Sequence, residues 1–241
     1  MIFKTSEECA VELIAHTVIP FPATGEMHEH FGNVDLFPAT AARVSFGNDL
    51  NEHDQAKDEK LINYLAEHKH TSTFEHQSLT VMVECPLFVR AQVMRHRHFS
   101  YNEISRRYTS EALEFWIPDK FRGQAVRNKQ ASSGEVIEEM VDLFSGDRVV
   151  KVRDVFTDSA MDALAVYTNM IDAGVAREIA RAVLPQSLLS RFYMTGNLRA
   201  WENFVKLRAD EHSQKEIQVV ANKISAIIDS LWPTSWRALI K

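Results

Sequence analysis

From residue 150 onward the apolar residues of this chain fall on a helical period, and that pattern limits the fold more than any other feature. Val152, Phe156, Ala160, Ala163, Leu164, Tyr167 and Met170 recur at spacings of three and four. Ile217, Val220, Ala221, Ile224, Ile227, Ile228 and Leu231 do the same near the C-terminus. A helix turns about 100° per residue, so each set forms one stripe that has to be buried against a neighbour. Between them the pattern predicts a short helix from Ala176 to Leu184, stopped by Pro185, and a long one from Leu188 to Ala209.

The first half reads differently, as short pieces. A helix is expected over Gln55 to Glu67, with Leu61, Tyr64 and Leu65 on one side, then a strand from Ser78 to Cys85 and a helix from Leu87 to Arg95 opened by Pro86. LEFWIP, ending at Pro118, reads as another strand, and the polar stretch Arg122 to Glu135 as a surface loop. The expected class is therefore α+β: one mixed domain over residues 1–241, with a small sheet and predominantly long helices. With 45% hydrophobic residues the chain can bury a sizeable core. No run approaches the roughly 18 apolar residues that span a bilayer, and the first twenty residues lack a signal peptide's apolar stretch. A cytoplasmic protein with no membrane partner is expected.

Cys9 and Cys85 lie far apart and in no CxxC pattern, which implies neither a disulfide framework nor a thiolate zinc site. Cys85, at the end of the run LTVMVEC, reads as a buried structural thiol and not as a nucleophile.

Charge is unevenly placed. The chain has a formal net charge of -6, yet Arg90, Arg95, Arg97, Arg106 and Arg107 face a single carboxylate, Glu103, between Arg90 and Tyr108. The island has no lysine. Arginine offers a planar fork of donors that fits phosphate oxygens in a bidentate way, so the choice favours geometric recognition of an anion, with a solvated basic loop as the plain alternative. The acidic remainder argues against a general nucleic-acid binder. A second cation stands out on the segment TGNLRAWENFVKLRADEH. Helical spacing puts Trp201, Phe204, Val205, Arg208 and His212 on one stripe and Arg199 with Asn203 on the opposite side. An arginine on an apolar stripe needs an anion or several acceptors, since an unpaired buried charge is costly. Farther along, the spacing of Glu178 and Arg181 by itself fits an ordinary surface salt bridge.

Arg95-His96-Arg97, then seven residues, then Ser105 matches the RHRx7S signature of the flavin-dependent thymidylate synthases, and RHRHFSYNEISRRY carries that family's NE, S and RY elements. Other pieces follow in the family's order: ARVSF at 42–46, HTSTFEH at 70–76, ECPLFVRAQVMRHR at 84–97, AREIARAVLP at 176–185 and TGNLRAWENFVKLRADEHSQKEI at 195–217. The chain thus resembles this family along nearly its whole length.

The resemblance implies methylation of dUMP to dTMP. 5,10-Methylenetetrahydrofolate would give the one-carbon unit and NADPH the reducing equivalents, with FAD relaying the hydride. It also implies a homotetramer whose active sites are shared between subunits. Carried over by position, FAD would be held by Ser72, Arg95, His96, Arg97, Glu103, Asn197, Arg199 and Asn203. The uridylate would be held by Gln92, Arg95, Glu103, Ser105, Arg106, Arg107, Arg181 and Arg208. Arg208 would be the catalytic residue, stabilising negative charge around N3 and C4 of uracil so that C5 can attack without a cysteine adduct. Ser105 has no base arranged in sequence to activate it and falls to substrate binding.

Departures from the family pattern are small. Ser72 and Ser190 stand where threonine is frequent, Ser213 where alanine is frequent, and His98 where an apolar residue is common beside the flavin. Two other readings are weaker. His28, His30, His68, His70 and His76 do not reproduce the helical HExxH spacing, so no metal site is expected. Phe99, Tyr101 and Tyr108 could stack bases in an RNA-binding module, but no basic stripe accompanies them.

Overall fold

The computed structural model describes residues 9–18, 33–45, 54–109, 113–127, 131–142 and 145–241. In chain order it forms β1 (Ala10–His16), α1 (Phe37–Val44), α2 (Gln55–Glu67), β2 (Ser78–Pro86), α3 (Leu87–Val93) and β3 (Ser100–Glu103). There follow β4 (Arg122–Gln124), β5 (Ser132–Val136), β6 (Glu139–Val141), β7 (Val149–Lys151), α4 (Val152–Asp172) and α5 (Arg177–Ala180). The chain ends in β8 (Leu189–Asn197), α6 (Leu198–Arg208), α7 (Lys215–Leu231) and α8 (Pro233–Leu239). The α+β class holds, with a four-stranded antiparallel sheet in the order β1-β2-β8-β3 and two separate hairpins, β4-β5 and β6-β7.

β2 is central because Leu79, Val81, Val83 and Cys85 alternate inward and are all buried, as a strand's two-residue period requires. It pairs with β8 along its full length, from Ser78 opposite Asn197 to Pro86 opposite Leu189. The register is reinforced on the outward side, where Thr80 and Thr195 share a 2.8 Å hydroxyl hydrogen bond and Arg191 Nε donates to Glu84 at 3.0 Å. The inner face meets α6, α7 and α8 in the main core, in which Phe74, Trp201, Phe204, Trp232 and Trp236 are buried. A second cluster, built on Phe115, Leu164, Tyr167 and Leu188, lies under α4.

The helices expected at Gln55–Glu67, after Pro86, from Val152 and through Leu231 are present. The long helix expected from Leu188 to Ala209 is a correction: it is strand β8 followed by helix α6. Phe192 and Met194 point inward while Arg191 and Tyr193 point out, a period of two that the helical spacing farther on obscured. Asn197 then ends the strand and caps the helix, its side chain accepting from Ala200 N at 2.9 Å. Ala176–Leu184 is shorter than expected, α5 running into a 3-10 turn over Arg181–Val183. The polar stretch after Arg122 is no plain loop. It forms the β4-β5 hairpin, tied to α7 by Arg122 Nη2 donating to Glu216 Oε1 at 2.6 Å. LEFWIP is extended and largely buried but contributes only an isolated bridge, Phe115 to Leu188.

α8 was not legible from its own residues. Pro233 opens it, and the buried carboxylate of Asp35, about two hundred positions away in sequence, accepts from Thr234 N at 2.7 Å and from Ser235 N at 2.8 Å. A carboxylate at a helix N-terminus satisfies orphan amides and complements the helix dipole. Asp35→Ala is expected to lower the unfolding free energy by about 2 kcal/mol, read by urea denaturation, because two buried donors lose their acceptor.

Candidate active site

The signature begins where α3 runs out. Arg95 N and His96 N donate to the carbonyls of Gln92 and Val93, closing a last tight turn, and the Tyr101 hydroxyl donates back to the carbonyls of Val93 at 3.1 Å and His96 at 2.8 Å. Burial pushes the Tyr101 phenol up to about 12, so it remains a donor and the latch stays closed at ordinary pH. The chain can then re-enter the sheet as β3 because Gly196 on β8 has no side chain. A Cβ there would overlap the Phe99 ring that lies against it.

Arg208, the last residue of α6, meets this turn. Its Nε donates to His96 Nε2 at 2.9 Å and its Nη2 to the Gln92 carbonyl at 3.1 Å. A guanidinium only donates, so His96 Nε2 is the acceptor and the ring proton sits on Nδ1. Burial first, then the Arg208 charge, pushes the imidazole down to about 4. The ring packs edge-on against Phe204 with centroids 4.8 Å apart. Arg208 itself is pushed down by burial and by the neighbouring Arg95. Gln92 is held in turn through its Nε2, which donates to Gln214 Oε1 at the start of α7.

The other end of the signature makes a second group. Both oxygens of Glu103 are occupied: Oε2 accepts from Arg90 Nε at 3.1 Å and also from Arg90 Nη2, and Oε1 accepts from Ser190 Oγ at 2.5 Å. Arg90, Glu103, Ser105, Arg106, Arg181 and Ser190 line a cavity of about 550 Å³. Arg106 is part-buried and its guanidinium is pushed down by burial. Arg181 does not pair with the Glu178 carboxylate as the spacing suggested. Its Nε reaches the Glu178 carbonyl at 3.4 Å, and the carboxylate faces Arg107 at 3.6 Å.

A third group sits where β8 passes into α6. Glu75, His98, Asn197, Arg199, Ala200 and Asn203 line a cavity of about 300 Å³, and Arg199 and Asn203 also border a neighbouring cavity of about 780 Å³. Arg199 Nη1 donates to Glu75 Oε1 at 2.5 Å. The donors here are a guanidinium, amides and a helix N-terminus, the set that suits a phosphate-bearing group. Ser72 is exposed in the 3-10 turn Thr71–Phe74 next to Glu75, and Arg95 and Arg97 are exposed on the signature turn.

Helix α3 explains why the residues assigned to the uridylate divide. Positions 90 and 92 differ by about 200° on a helix, so the Arg90 side chain faces the Glu103 cavity while the Gln92 side chain points away to Gln214, and it is the Gln92 main-chain carbonyl that meets Arg208. Ser105, Arg106 and Arg181 share one cavity, which Gln92, Arg95 and Arg208 do not line. Arg199 and Asn203 lie apart from Arg208, as the helical spacing required. His212 does not share the Arg208 stripe: α6 stops at Arg208, and His212 is exposed in the turn that follows. His28 and His30 lie outside the described residues, and among the described residues no three metal-ligating side chains cluster.

A family model described as "Thymidylate synthase complementing protein" matches residues 26–234. Flavin-dependent thymidylate synthases from Thermotoga neapolitana and Thermosipho melanesiensis are each 40% identical to the chain, over 216 and 207 residues, covering 90% and 86% of both partners. A crystal structure of a UMP/dUMP methylase, PolB from Streptomyces cacaoi, bound with 5-Br dUMP is similar at 32% identity with a TM-score of 0.78, covering 96% of this chain and 94% of that one. The chain belongs to the flavin-dependent thymidylate synthase family.

The family signature does not name the residues that hold its own members in place. Arg90 and Ser190 clamp Glu103, Gln214 holds Gln92, Tyr101 latches the turn and Glu75 steadies Arg199. Arg90 stood out in the arginine island, and Tyr101, Glu75 and Ser190 lay within or beside matched family segments, but none of these signals pointed to a supporting role. His96 offers a check on the geometry. Its folded pKa lies below the unfolded 6.5, so its contribution to stability is whole above pH 6.5 and is lost as pH falls toward 4. His96→Gln is expected to make the unfolding free energy less steep between pH 6.5 and 4 than in the unaltered protein, measured by chemical denaturation across that range.

Proposed function

We propose that this protein methylates dUMP to dTMP, using 5,10-methylenetetrahydrofolate as one-carbon donor and NADPH as reductant through FAD. The observation that carries the reading is Arg208, a part-buried cation held by neutral acceptors at the position the family uses for catalysis. FAD, when bound, relays the hydride.

The chain's own residues fit the parts that remain. Asn197, Arg199 and Asn203, with the α6 N-terminus, supply donors for the flavin's phosphates. Arg106, Arg181 and Ser105 supply donors for the uridylate phosphate, in a cavity where burial makes a guanidinium's charge count for more. Arg208, set by the Gln92 carbonyl, would stabilise charge on the uracil ring. Cys85 is fully buried, and burial pushes its thiol well up, which supports a route without a cysteine nucleophile.

The residues for one uridylate lie in two separate groups of one chain, which supports a homotetramer with active sites shared between subunits. Val155, Met161 and Val166 on α4, and Ile179 on α5, are exposed apolar residues suited to being covered by another copy. Residues 1–241 are read as one synthase domain acting in the cytoplasm. No described helix is long and apolar enough to cross a membrane.

Purified protein is expected to be yellow and to form dTMP only when dUMP, methylenetetrahydrofolate and NADPH are all present. Arg208→Ala should lower kcat by about a hundredfold to a thousandfold with flavin still bound, the range for removal of one well-placed charge-stabilising donor. Cys85→Ala should stay within about twofold, since a buried methyl-sized change leaves the site's donors in place. A folded Cys85→Ala protein without activity, or colourless protein that binds neither FAD nor dUMP, would overturn the reading.

A further inference from the structure

We infer that His96 is a positioning residue for Arg208, its Nε2 accepting the Arg208 Nε proton and so aiming the Nη1 end of the guanidinium at the bound uracil. The inference rests on the proposed function and adds to it a role that binding the flavin does not require.

The donors of Arg208 can be followed one by one. A guanidinium carries five N–H groups in a rigid plane. The Nε proton goes to His96 and one Nη2 proton to the Gln92 carbonyl, both on the same edge of the plane. Among the described residues no acceptor meets Nη1, so both Nη1 protons and one on Nη2 remain for a ligand. Two acceptors on one edge fix both the position and the tilt of the plane, whereas a single hydrogen bond would leave it free to pivot.

The two acceptors are themselves rigidly held. The His96 ring is walled by Phe204 and Phe99, with centroids 4.8 and 6.5 Å away, and its backbone carbonyl is latched by the Tyr101 hydroxyl. The Gln92 carbonyl belongs to the last turn of α3. Among the described residues Arg208 has no carboxylate partner. In contrast Arg90, Arg122, Arg191, Arg199 and Arg237 each have one. A carboxylate would have fixed the guanidinium equally well and cancelled its charge. A neutral imidazole fixes it and leaves the charge for the substrate. Burial beside a cation keeps that imidazole neutral, consistent with its depressed pKa.

The test compares His96→Phe, which keeps a ring but no acceptor, with His96→Gln, whose side-chain oxygen can reach the place of Nε2. Measured at saturating added FAD, His96→Phe is expected to lower kcat roughly tenfold to a hundredfold, the scale for misplacing a catalytic group, with the KM for dUMP shifted less than about threefold. His96→Gln should recover at least about tenfold in kcat over His96→Phe, one decade being one lost orienting interaction. Comparable kcat in the unaltered protein and His96→Phe, or a glutamine variant no faster than the phenylalanine one, overturns the inference. Absence of dTMP formation in the unaltered protein would instead sink the proposed function.

Discussion

The pairing of β2 with β8 is the constraint on which the rest of the structure depends. Nine consecutive residue pairs, from Ser78 opposite Asn197 to Pro86 opposite Leu189, join segments more than a hundred positions apart. Each strand hands directly to a helix, β2 to α3 at Pro86 and β8 to α6 at Asn197. Because the strands are antiparallel, the two helices start from opposite ends of one ladder. A one-residue slip would turn Leu79, Val81 and Val83 to the outside and move both helix starts together. The meeting of Arg208 with the α3 turn is therefore fixed by strand register before any ligand is present.

β3 extends the same argument to the signature. Ser100 lies opposite Thr195 and Glu103 opposite Phe192, so the strand sets the RHR turn and the SRR segment at its two ends, about 10 Å apart at the usual rise per residue. One continuous motif of fourteen residues thus serves two places, which is why its arginines split between the Arg208 group and the Glu103 cavity. The proposed sharing of sites between subunits follows naturally from a motif that is straight where a single pocket would need it to curl.

Much of this was legible in the sequence, and the gaps have physical causes. Helices α2, α4 and α7 were visible because their apolar stripes face one core, so local period and tertiary burial agree. β8 was missed because its inward residues Phe192 and Met194 flow into the stripe Trp201, Phe204, Val205, and over a short window two periods can fit one string. α8 was missed because its cap, Asp35, is remote in sequence. The identities of the site residues came through the RHRx7S match, but their supports did not: Ser190 and Gln214 act through side chains brought close only by the sheet and by α7. Such partners leave no spacing to read.

The distribution of counter-charges carries the last step. This acidic chain has carboxylates in excess, and it pairs them with arginines of both kinds: Glu84 with Arg191 across the ladder, Glu216 with Arg122 of the hairpin and Glu103 with Arg90, but also Glu75 with Arg199 at the proposed flavin site. A part-buried arginine that, like Arg208, meets no carboxylate among the described residues costs stability unless other acceptors satisfy it. At Arg208 those acceptors are an imidazole nitrogen and a main-chain carbonyl, which satisfy its inner edge and cancel none of its charge. Water is the competitor for such a charge, and Phe204 and Phe99 around His96 limit its approach from the protein side. An anion forming on a ring placed against the outer edge would therefore meet a full positive charge already oriented, in a setting less screened than water, and that preorganisation is what a fixed cation contributes to a reaction that builds negative charge.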